Sequence, residues 1–365
     1  MKTIFISAGD PSGDRHASKL MQTLAKSYLG DLHFIGIGGP EMQKQGLEAI
    51  VDFNELNVVG FWEVAKKYSF FTNLLKKAES ILQNGHVDLF LPIDYPGFNL
   101  RLSEKTRKLS IPVLYYIAPQ LWAWGSGRIS KIRDYVSELL VVFPFEEKFF
   151  RDLGINCTFV GHPLIDSDEF NTPAPALADR DNIIAFFPGS RKIEIARHIE
   201  LCTDIKNLLK PNLKDFRFIV SIPSQQKHYY QNKIKHDFEI SENSVDLMKK
   251  AKAGLVKTGT TTLESALSAM PFLMYYKASI LTYYIGKTLY KLDYLSLPNI
   301  LENKNVVQEF IQTAAKPNIM AAELIKLIKK PELSQIMVND FSQIRKNLGK
   351  SGAALNAANA IVKFL

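Results

Sequence analysis

Short, almost unbroken apolar runs alternate with longer amphipathic stretches along this chain, and that alternation admits few folds. In the first half the runs are Thr3–Ser7, His33–Ile37, Val87–Ile93, Pro112–Ile117 and Leu139–Phe143. Helical periodicity covers Asp14–Tyr28, Phe61–Leu82, Leu100–Leu109 and Ser126–Tyr135. A strand that is apolar on both faces must be covered on both faces, as a parallel strand between helices is. The region Pro163–Asp181 breaks the pattern with Asp166, Asp168, Asn171, Pro173, Pro175 and Asp179, and reads as a linker. The alternation then restarts with strand Ile183–Phe187, helix Ile193–Leu209, strand Phe216–Ile222 and helix Gln225–Lys235. Strand Gly254–Val256, helix Thr261–Ala269 and strand Pro271–Tyr275 follow. Beyond Val306 the sequence reads as helical almost throughout, and Ala353–Leu365 carries Leu355, Ala358, Ile361, Val362 and Leu365 on one face. The expectation is an α/β protein of two tandem Rossmann-like domains facing a cleft: residues 1–165, residues 166–345, and a C-terminal helix over 346–365. Ligands of such sheets bind at the carboxyl ends of the strands, so the site is expected there and in the cleft.

A length of 365 residues suits two domains, and 46% hydrophobic residues let each bury a core without disulfides or metal. The formal net charge of +8 favours anionic partners: phosphorylated small molecules, an acidic membrane surface or nucleic acid. The lysines are dispersed rather than clustered, which places nucleic acid last and leads us to expect none. Cys157 and Cys202 have no partner His or Cys at metal-ligand spacing and read as small buried apolar residues in a reducing compartment. The first residues are too soon interrupted by Gly9 and Asp10 for a signal peptide, and no apolar run reaches the roughly 20 residues of a membrane span. A cytosolic location is expected.

Strand Ile183–Phe187 runs directly into Pro188-Gly189-Ser190-Arg191 and then a helix. That order presents backbone N–H groups and a positive helix end at the strand's carboxyl edge. Gly189 permits close approach to an anion, Ser190 offers a hydroxyl, and Arg191 a bidentate guanidinium. A Pro-Gly turn with a Ser cap would explain the turn, but not the arginine. Lys257-Thr258-Gly259-Thr260-Thr261-Thr262 repeats the arrangement after strand Gly254–Val256, with Glu264 one turn into the helix, placed for ribose hydroxyls. A capping box of Thr261 with Glu264 explains that segment as well. Two such turns in one domain favour a nucleotide.

In the first domain, Asp94 ends the run Val87–Ile93 and precedes Tyr95-Pro96-Gly97-Phe98-Asn99. Apolar surroundings would raise its pKa towards that of a general base. As a cap for a helix beginning near Asn99 it lies too far away. The turn Gly9-Asp10-Pro11-Ser12-Gly13-Asp14 lacks the G-x-G-x-x-G spacing, and its two acids would repel a pyrophosphate, so Asp10, Ser12 and Asp14 fit a hydroxyl-rich sugar better than a dinucleotide. His162 sits at the expected hinge, where it either lines the cleft or serves the fold. Trp122 and Trp124 form an aromatic loop after Pro112–Ile117, either core or cleft mouth. Asp166-Ser167-Asp168 matches the D-x-D triplet of metal-dependent glycosyltransferases, but it follows no strand and reads as chance. Val58–Lys77 holds more apolar bulk than one helix face can bury, flanked by Lys66, Lys67, Lys76 and Lys77. It reads as a core helix with snorkelling lysines or as an interfacial segment on an anionic bilayer.

Taken in order, Ala8–Asp14, Gly36–Met42, Val58-Val59-Gly60, Asp94–Asn99, Pro119–Trp124, Phe143–Glu146, Gly161-His162-Pro163, Pro188–Arg191 with Glu194, and Leu297-Pro298-Asn299 resemble the lipid-A-disaccharide synthase family over nearly the whole chain. The resemblance implies an inverting GT-B glycosyltransferase. It would join UDP-2,3-diacylglucosamine to 2,3-diacylglucosamine 1-phosphate (lipid X), giving UDP and the β-1′,6 disaccharide precursor of lipid A. It implies Asp94 as the base for the acceptor 6-hydroxyl and Arg191 as support for the diphosphate leaving group. UDP contacts are implied at Gly189, Ser190, Thr258, Gly259, Thr260, Glu264, Asn299 and Glu309, and an acceptor side at Asp10, Ser12, Asp14, Trp124 and His162. No cofactor and no metal are implied, since UDP-sugar is a substrate. Acylated substrates make Phe61, Trp62, Phe70 and Phe71 contacts for acyl chains or bilayer, and place the protein peripherally on the cytoplasmic side of the inner membrane. The family's C-terminal segment returns to the first domain and can be exchanged between subunits, which leaves a homodimer open. The first turn departs from the family's common Gly-Glu, reading Gly-Asp-Pro. The rivals are another UDP-sugar GT-B enzyme, such as a UDP-GlcNAc epimerase or the peptidoglycan glucosaminyltransferase, and a non-catalytic nucleotide-sugar binder on the membrane.

Overall fold

The structure is a computed structural model that describes residues 1–56, 64–123, 126–234, 237–278 and 292–365. It divides into two compact units, Met1–Asp166 with Leu348–Leu365, and Ser167–Asn347. Each is a parallel sheet between helices.

The first unit contains β1 (Lys2–Ala8), β2 (Leu32–Ile37), β3 (Leu47–Ala49), β4 (Leu89–Ile93), β5 (Leu114–Tyr116), β6 (Glu138–Val141) and β7 (Cys157–Phe159), in the order β3-β2-β1-β4-β5-β6-β7. The chain steps outward from β1 to β3, then returns to place β4 on the other side of β1, with Ala8 opposite Ile93. This reversal opens a crevice at the carboxyl ends of β1 and β4, where open α/β sheets bind ligands. The central strands are apolar on both faces because both are covered: Ile4, Phe5, Ile6, Leu89, Phe90 and Leu91 are fully buried. The Phe5 and Phe90 rings meet edge to face at 5.7 Å. Strands β3 and β7 escaped the sequence reading because each is a short edge strand with a single buried residue, leaving no apolar run to detect.

The second unit contains β8 (Asp181–Phe187), β9 (Arg217–Ser221), β10 (Glu239–Ser241), β11 (Ala251–Lys257), β12 (Phe272–Tyr276) and β13 (Glu309–Ile311), ordered β10-β9-β8-β11-β12-β13. Its reversal lies between β8 and β11. The edge strand β13 interrupts the region beyond Val306 that was expected to be helical almost throughout; helices follow at Pro317–Lys329 and Pro331–Asn347. The linker read over Pro163–Asp181 is partly anchored. The buried Arg180 guanidinium donates to the carbonyls of Pro175, Met248, Ala251 and Ser268. Three of these cluster at the C-terminal ends of the helices Ser244–Lys250 and Thr260–Leu267, where orphan carbonyls and the helix dipole favour a cation.

The last helix, Ala353–Val362, packs on the helix Pro11–Ser27. Its buried face is Ala353, Ala354, Ala357, Ala358, Ala360 and Ile361, whereas Leu355 is 49% exposed, a correction to the face read from sequence. Small side chains admit a close helix approach that leucines would prevent. Asp166 accepts from the N–H groups of Gly352 (2.5 Å) and Ala354 (2.9 Å), capping this helix. No helix among the described residues is long and apolar enough to cross a membrane.

Candidate active site

Asp94 stands at the carboxyl end of β4, in the first unit's crevice and half-buried. Its backbone is left-handed (φ 44°), as is that of Tyr95 (φ 52°). Each such conformation costs about 1–3 kcal/mol outside glycine and persists only where the surroundings enforce it. They do so here. The Asp94 carbonyl accepts from the Tyr115 hydroxyl at 2.6 Å and from Asn99 Nδ2 at 2.7 Å. The helix after Asp94 begins at Pro96 with Tyr95 as its N-cap, three residues earlier than the sequence suggested. Asp94 is therefore much closer to a helix start than expected, and the argument from distance against a capping role falls. What sets it apart is its charge balance. Burial, then the negative charge of Asp10, push its carboxyl up to about 6, against one N–H contact from Tyr95 that pulls it down. Tyr95 lies so close over Gly9 that a Cβ there would sit 2.4 Å from its ring, which explains the glycine.

The acids of the first turn serve the framework. Asp10 caps the helix Pro11–Ser27, accepting from the N–H groups of Ser12 (2.8 Å) and Gly13 (2.9 Å). Asp14 is 3% exposed and accepts from Gly39 (2.8 Å), Met42 (3.0 Å) and Glu41 (3.1 Å), tying the first turn to the Gly-rich turn after β2. Asp14 thus has no face for a sugar, a correction to its expected acceptor role. Ser12 Oγ lies 3.2 Å from Nε2 of His16, a residue the sequence reading passed over. Burial, then Arg15, push His16 down to about 4. Burial and His16 hold His162 at about 3, and the Leu164 N–H donates to its Nδ1. Burial and an accepted backbone N–H both favour the neutral ring of His162, which serves the fold here. Trp122 is core-facing and donates through Nε1 to the buried Glu146 at 2.9 Å. Burial lifts that carboxyl to about 7 despite this bond and N–H bonds from Phe143 and Val142.

In the second unit both expected turns leave adjacent strands, β8 and β11, with Phe187 paired to Val256. Gly189 is left-handed in φ (125°), and a Cβ there would meet Glu194 Oε2 at 2.6 Å. Glu194 Oε2 accepts from the N–H groups of Ser190 (3.2 Å) and Arg191 (3.4 Å). Those donors were expected to stand open for an anion; a carboxylate occupies them instead. The Glu194 Oε1 takes Lys257 at 2.9 Å, joining the two turns. Burial pushes the Glu194 carboxyl up, yet Lys257 and the Arg191 N–H together hold it below the usual range. The Arg191 side chain is 79% exposed and only 3.9 Å from Glu194, so it is available to an incoming phosphate.

The second turn has Gly259, not Thr261, as the N-cap of Thr260–Leu267, so the capping box is not the arrangement. The Thr262 hydroxyl donates to the Gly259 carbonyl at 2.8 Å. Thr260 and Gly259 are exposed, and Glu264 is half-buried. Thr258 Oγ1 donates to the Leu295 carbonyl (3.1 Å), and Glu309 accepts from the N–H groups of Leu295 and Ser296 (2.9 Å each), the Ser296 hydroxyl (2.8 Å) and Asn299 Nδ2 (2.9 Å). Asn299, fully buried, also donates to the Val307 carbonyl at 2.8 Å. The structure thus brings Thr258, Asn299 and Glu309 into one network. Asn299 and Glu309 brace the segment beside the turn. Phe70 and Phe71, on the helix Val64–Asn84, are partly buried against the core with their rings 5.3 Å apart. Phe61, Trp62 and Trp124 lie outside the described residues.

Comparison with known proteins bears on this arrangement. The sequence profile of the family described as lipid-A-disaccharide synthetase matches residues 4–363. The lipid-A-disaccharide synthase of Persephonella marina is 32% identical over 379 residues, covering 99% of this chain and 98% of that protein. Among solved structures, UDP-GlcNAc 2-epimerase from Neisseria meningitidis, bound to UDP-GlcNAc, superposes with a TM-score of 0.67 at 14% identity over the whole of both chains. Acinetobacter baumannii MurG does so with a TM-score of 0.58, also at 14% identity and full coverage. At that identity the structural likeness establishes the fold, two parallel-sheet α/β domains of the GT-B class.

Proposed function

Because this chain belongs to the lipid-A-disaccharide synthetase family, we propose that Asp94 is the general base and Arg191 the leaving-group support of its glycosyl transfer. The chain is a glycosyltransferase of lipid A biosynthesis, using a UDP-sugar and a lipid substrate. The finer reading is that it condenses UDP-2,3-diacylglucosamine with lipid X. The acceptor 6-hydroxyl oxygen forms a bond to the anomeric carbon while the bond from that carbon to the diphosphate oxygen breaks, its electron pair leaving with UDP. The hydroxyl proton passes to Asp94. The charge developing on the diphosphate meets the Arg191 guanidinium, the Ser190 hydroxyl and the positive ends of the helices Lys192–Leu209 and Thr260–Leu267. Asp94 carries this reading: it is a carboxylate at a strand-order reversal, in enforced left-handed backbone, with its pKa raised to about 6.

Incubation of the full chain with both acylated sugars should release UDP together with a disaccharide. Turnover of UDP-GlcNAc alone, with none of the acylated pair, would overturn the choice in favour of an epimerase. We hold the transfer to be metal-independent, since Asp166 of the D-x-D triplet caps the last helix. The same rate is expected in excess EDTA, and a loss restored by Mg²⁺ or Mn²⁺ would show otherwise.

The protein acts, in this reading, at the cytoplasmic face of the inner membrane, drawn there by its net charge of +8 and its acylated substrates. Because Phe70 and Phe71 pack partly into the core, charging them would destabilise the fold, so the membrane is better varied than the protein. The chain is expected to co-sediment with phosphatidylglycerol-rich vesicles at low salt and far less with phosphatidylcholine vesicles. Equal partition would argue against an electrostatic contribution. A homodimer formed by exchange of the last helix would set its alanine face on the partner's helix Pro11–Ser27 in place of its own.

A further inference from the structure

His198 lies behind the phosphate turn, 1% exposed, on the helix Lys192–Leu209. Its Nδ1 is 2.8 Å from the carbonyl oxygen of Pro188, the first residue of that turn, and its Nε2 is 3.1 Å from the carbonyl oxygen of Lys277, just beyond β12. Carbonyl oxygens only accept. A neutral imidazole has one N–H, so it holds one of these carbonyls and turns a lone pair towards the other. Only the imidazolium satisfies both. Since β8 and β12 flank β11, the ring spans the carboxyl end of the strand that carries Lys257. The doubly bonded state therefore fixes the Pro188 turn relative to the whole edge that faces the ligand.

The groups around the ring set the balance. Glu194, from the same helix, favours the charged form, and Lys257, from β11, opposes it. Tyr275, from β12, packs its ring edge to face at 5.2 Å, with Cys202 3.7 Å from its hydroxyl. Burial is the largest influence and lowers the His198 pKa from its ordinary value; the two carbonyls work against it. An anion arriving at Gly189–Arg191 adds negative charge on the side where Lys257 now opposes protonation.

We infer that His198 is a proton-linked positioning residue: diphosphate binding at the turn draws a proton onto its ring, which then holds the Pro188 and Lys277 carbonyls together. This rests on the reading of that turn as the UDP site. The sign follows from linkage. A ligand that raises the pKa of a group takes up protons on binding, so affinity rises as pH falls between the free and bound pKa values.

The test is UDP binding to the full-length protein by calorimetry at pH 8 and pH 6, in two buffers of different ionisation heat, for wild type, His198→Gln and Arg191→Ala. UDP's own terminal phosphate titrates in this range, so the readout is the difference between wild type and the His198 variant. We expect wild-type affinity to gain about 5-fold or more between pH 8 and pH 6 relative to His198→Gln, with greater proton uptake. Equal pH dependence in the two proteins overturns the inference while leaving the UDP site intact, provided Arg191→Ala weakens UDP. Should His198→Gln not fold, His198→Asn replaces it. Wild-type proton uptake no greater than the ionisation of free UDP requires also overturns the inference. If wild type fails to bind UDP, the nucleotide reading falls and this inference with it; if Arg191→Ala binds UDP as tightly as wild type, the diphosphate is not held at this turn and the inference falls while UDP binding stands.

Discussion

Replacing Asp94 by alanine or asparagine is expected to cut turnover by about 10³-fold, within the usual contribution of a positioned general base, with little change in KM. The wild-type rate should fall with a slope of one below an apparent pKa of about 6 and level off above it, because the base works only when ionised. Asp10→Asn keeps a side-chain oxygen for the cap but removes the charge that helps raise Asp94, so it should move the acid limb to lower pH. Stability gives an independent check. The Asp94 carboxyl titrates above its ordinary 3.8 in the folded protein, so the folded state keeps a proton that the unfolded chain has released. Its effect on stability therefore worsens as pH rises from about 4 to about 6, and at pH 7 the buried charge costs roughly 2–3 kcal/mol. Asp94→Asn should melt at a higher temperature than wild type at pH 7, with the gap closing near pH 4. A carboxylate retained for the fold would show the reverse. An active Asp94→Ala enzyme would remove the assigned base.

The second large effect is expected at Arg191. Arg191→Ala should lower kcat/KM by about 10²-fold or more, in line with the loss of one group that meets leaving-group charge, and should weaken UDP. Arg191→Lys should recover only part, because an ammonium does not reproduce the bidentate fork. The melting temperature should hardly move: the side chain is 79% exposed and its ion pair with Glu194, at 3.9 Å, is loose. Normal rates with UDP binding unchanged would show that the turn does not hold the diphosphate through this residue.

Glu194 shows where reading from sequence stopped. The turn Pro188–Arg191 was legible because strand, glycine and helix start are local signals, and the structure keeps all three. Which anion meets the turn's N–H groups was not, since the answer came from a carboxylate one helical turn later and a lysine on the neighbouring strand. Asn299 and Glu309 are alike in this: each was expected to touch UDP, and the bonds each makes to the other and to the intervening backbone could not be read from the sequence. A polar residue in a suggestive motif has the same letter whether it faces a ligand or the frame. The edge strands β3, β7, β10 and β13 were missed for a simpler reason, having too little buried surface to leave a periodic trace.

The sequence by itself determined that this is an α/β chain of two parallel-sheet halves, because strands covered on both faces must be apolar on both faces, and that is written in order along the chain. It also determined the family, through motifs kept in sequence across nearly the full length. Only the tertiary structure decided which strand ends are neighbours. Strand order is set by crossovers and packing over long separations, and no local pattern encodes it. That order puts Asp94 beside the Asp10 turn, the source of part of its raised pKa, and sets the Lys257 turn against the Pro188 turn. Asp94 owes its raised pKa to burial and a neighbour, and neither can be read from the letter D.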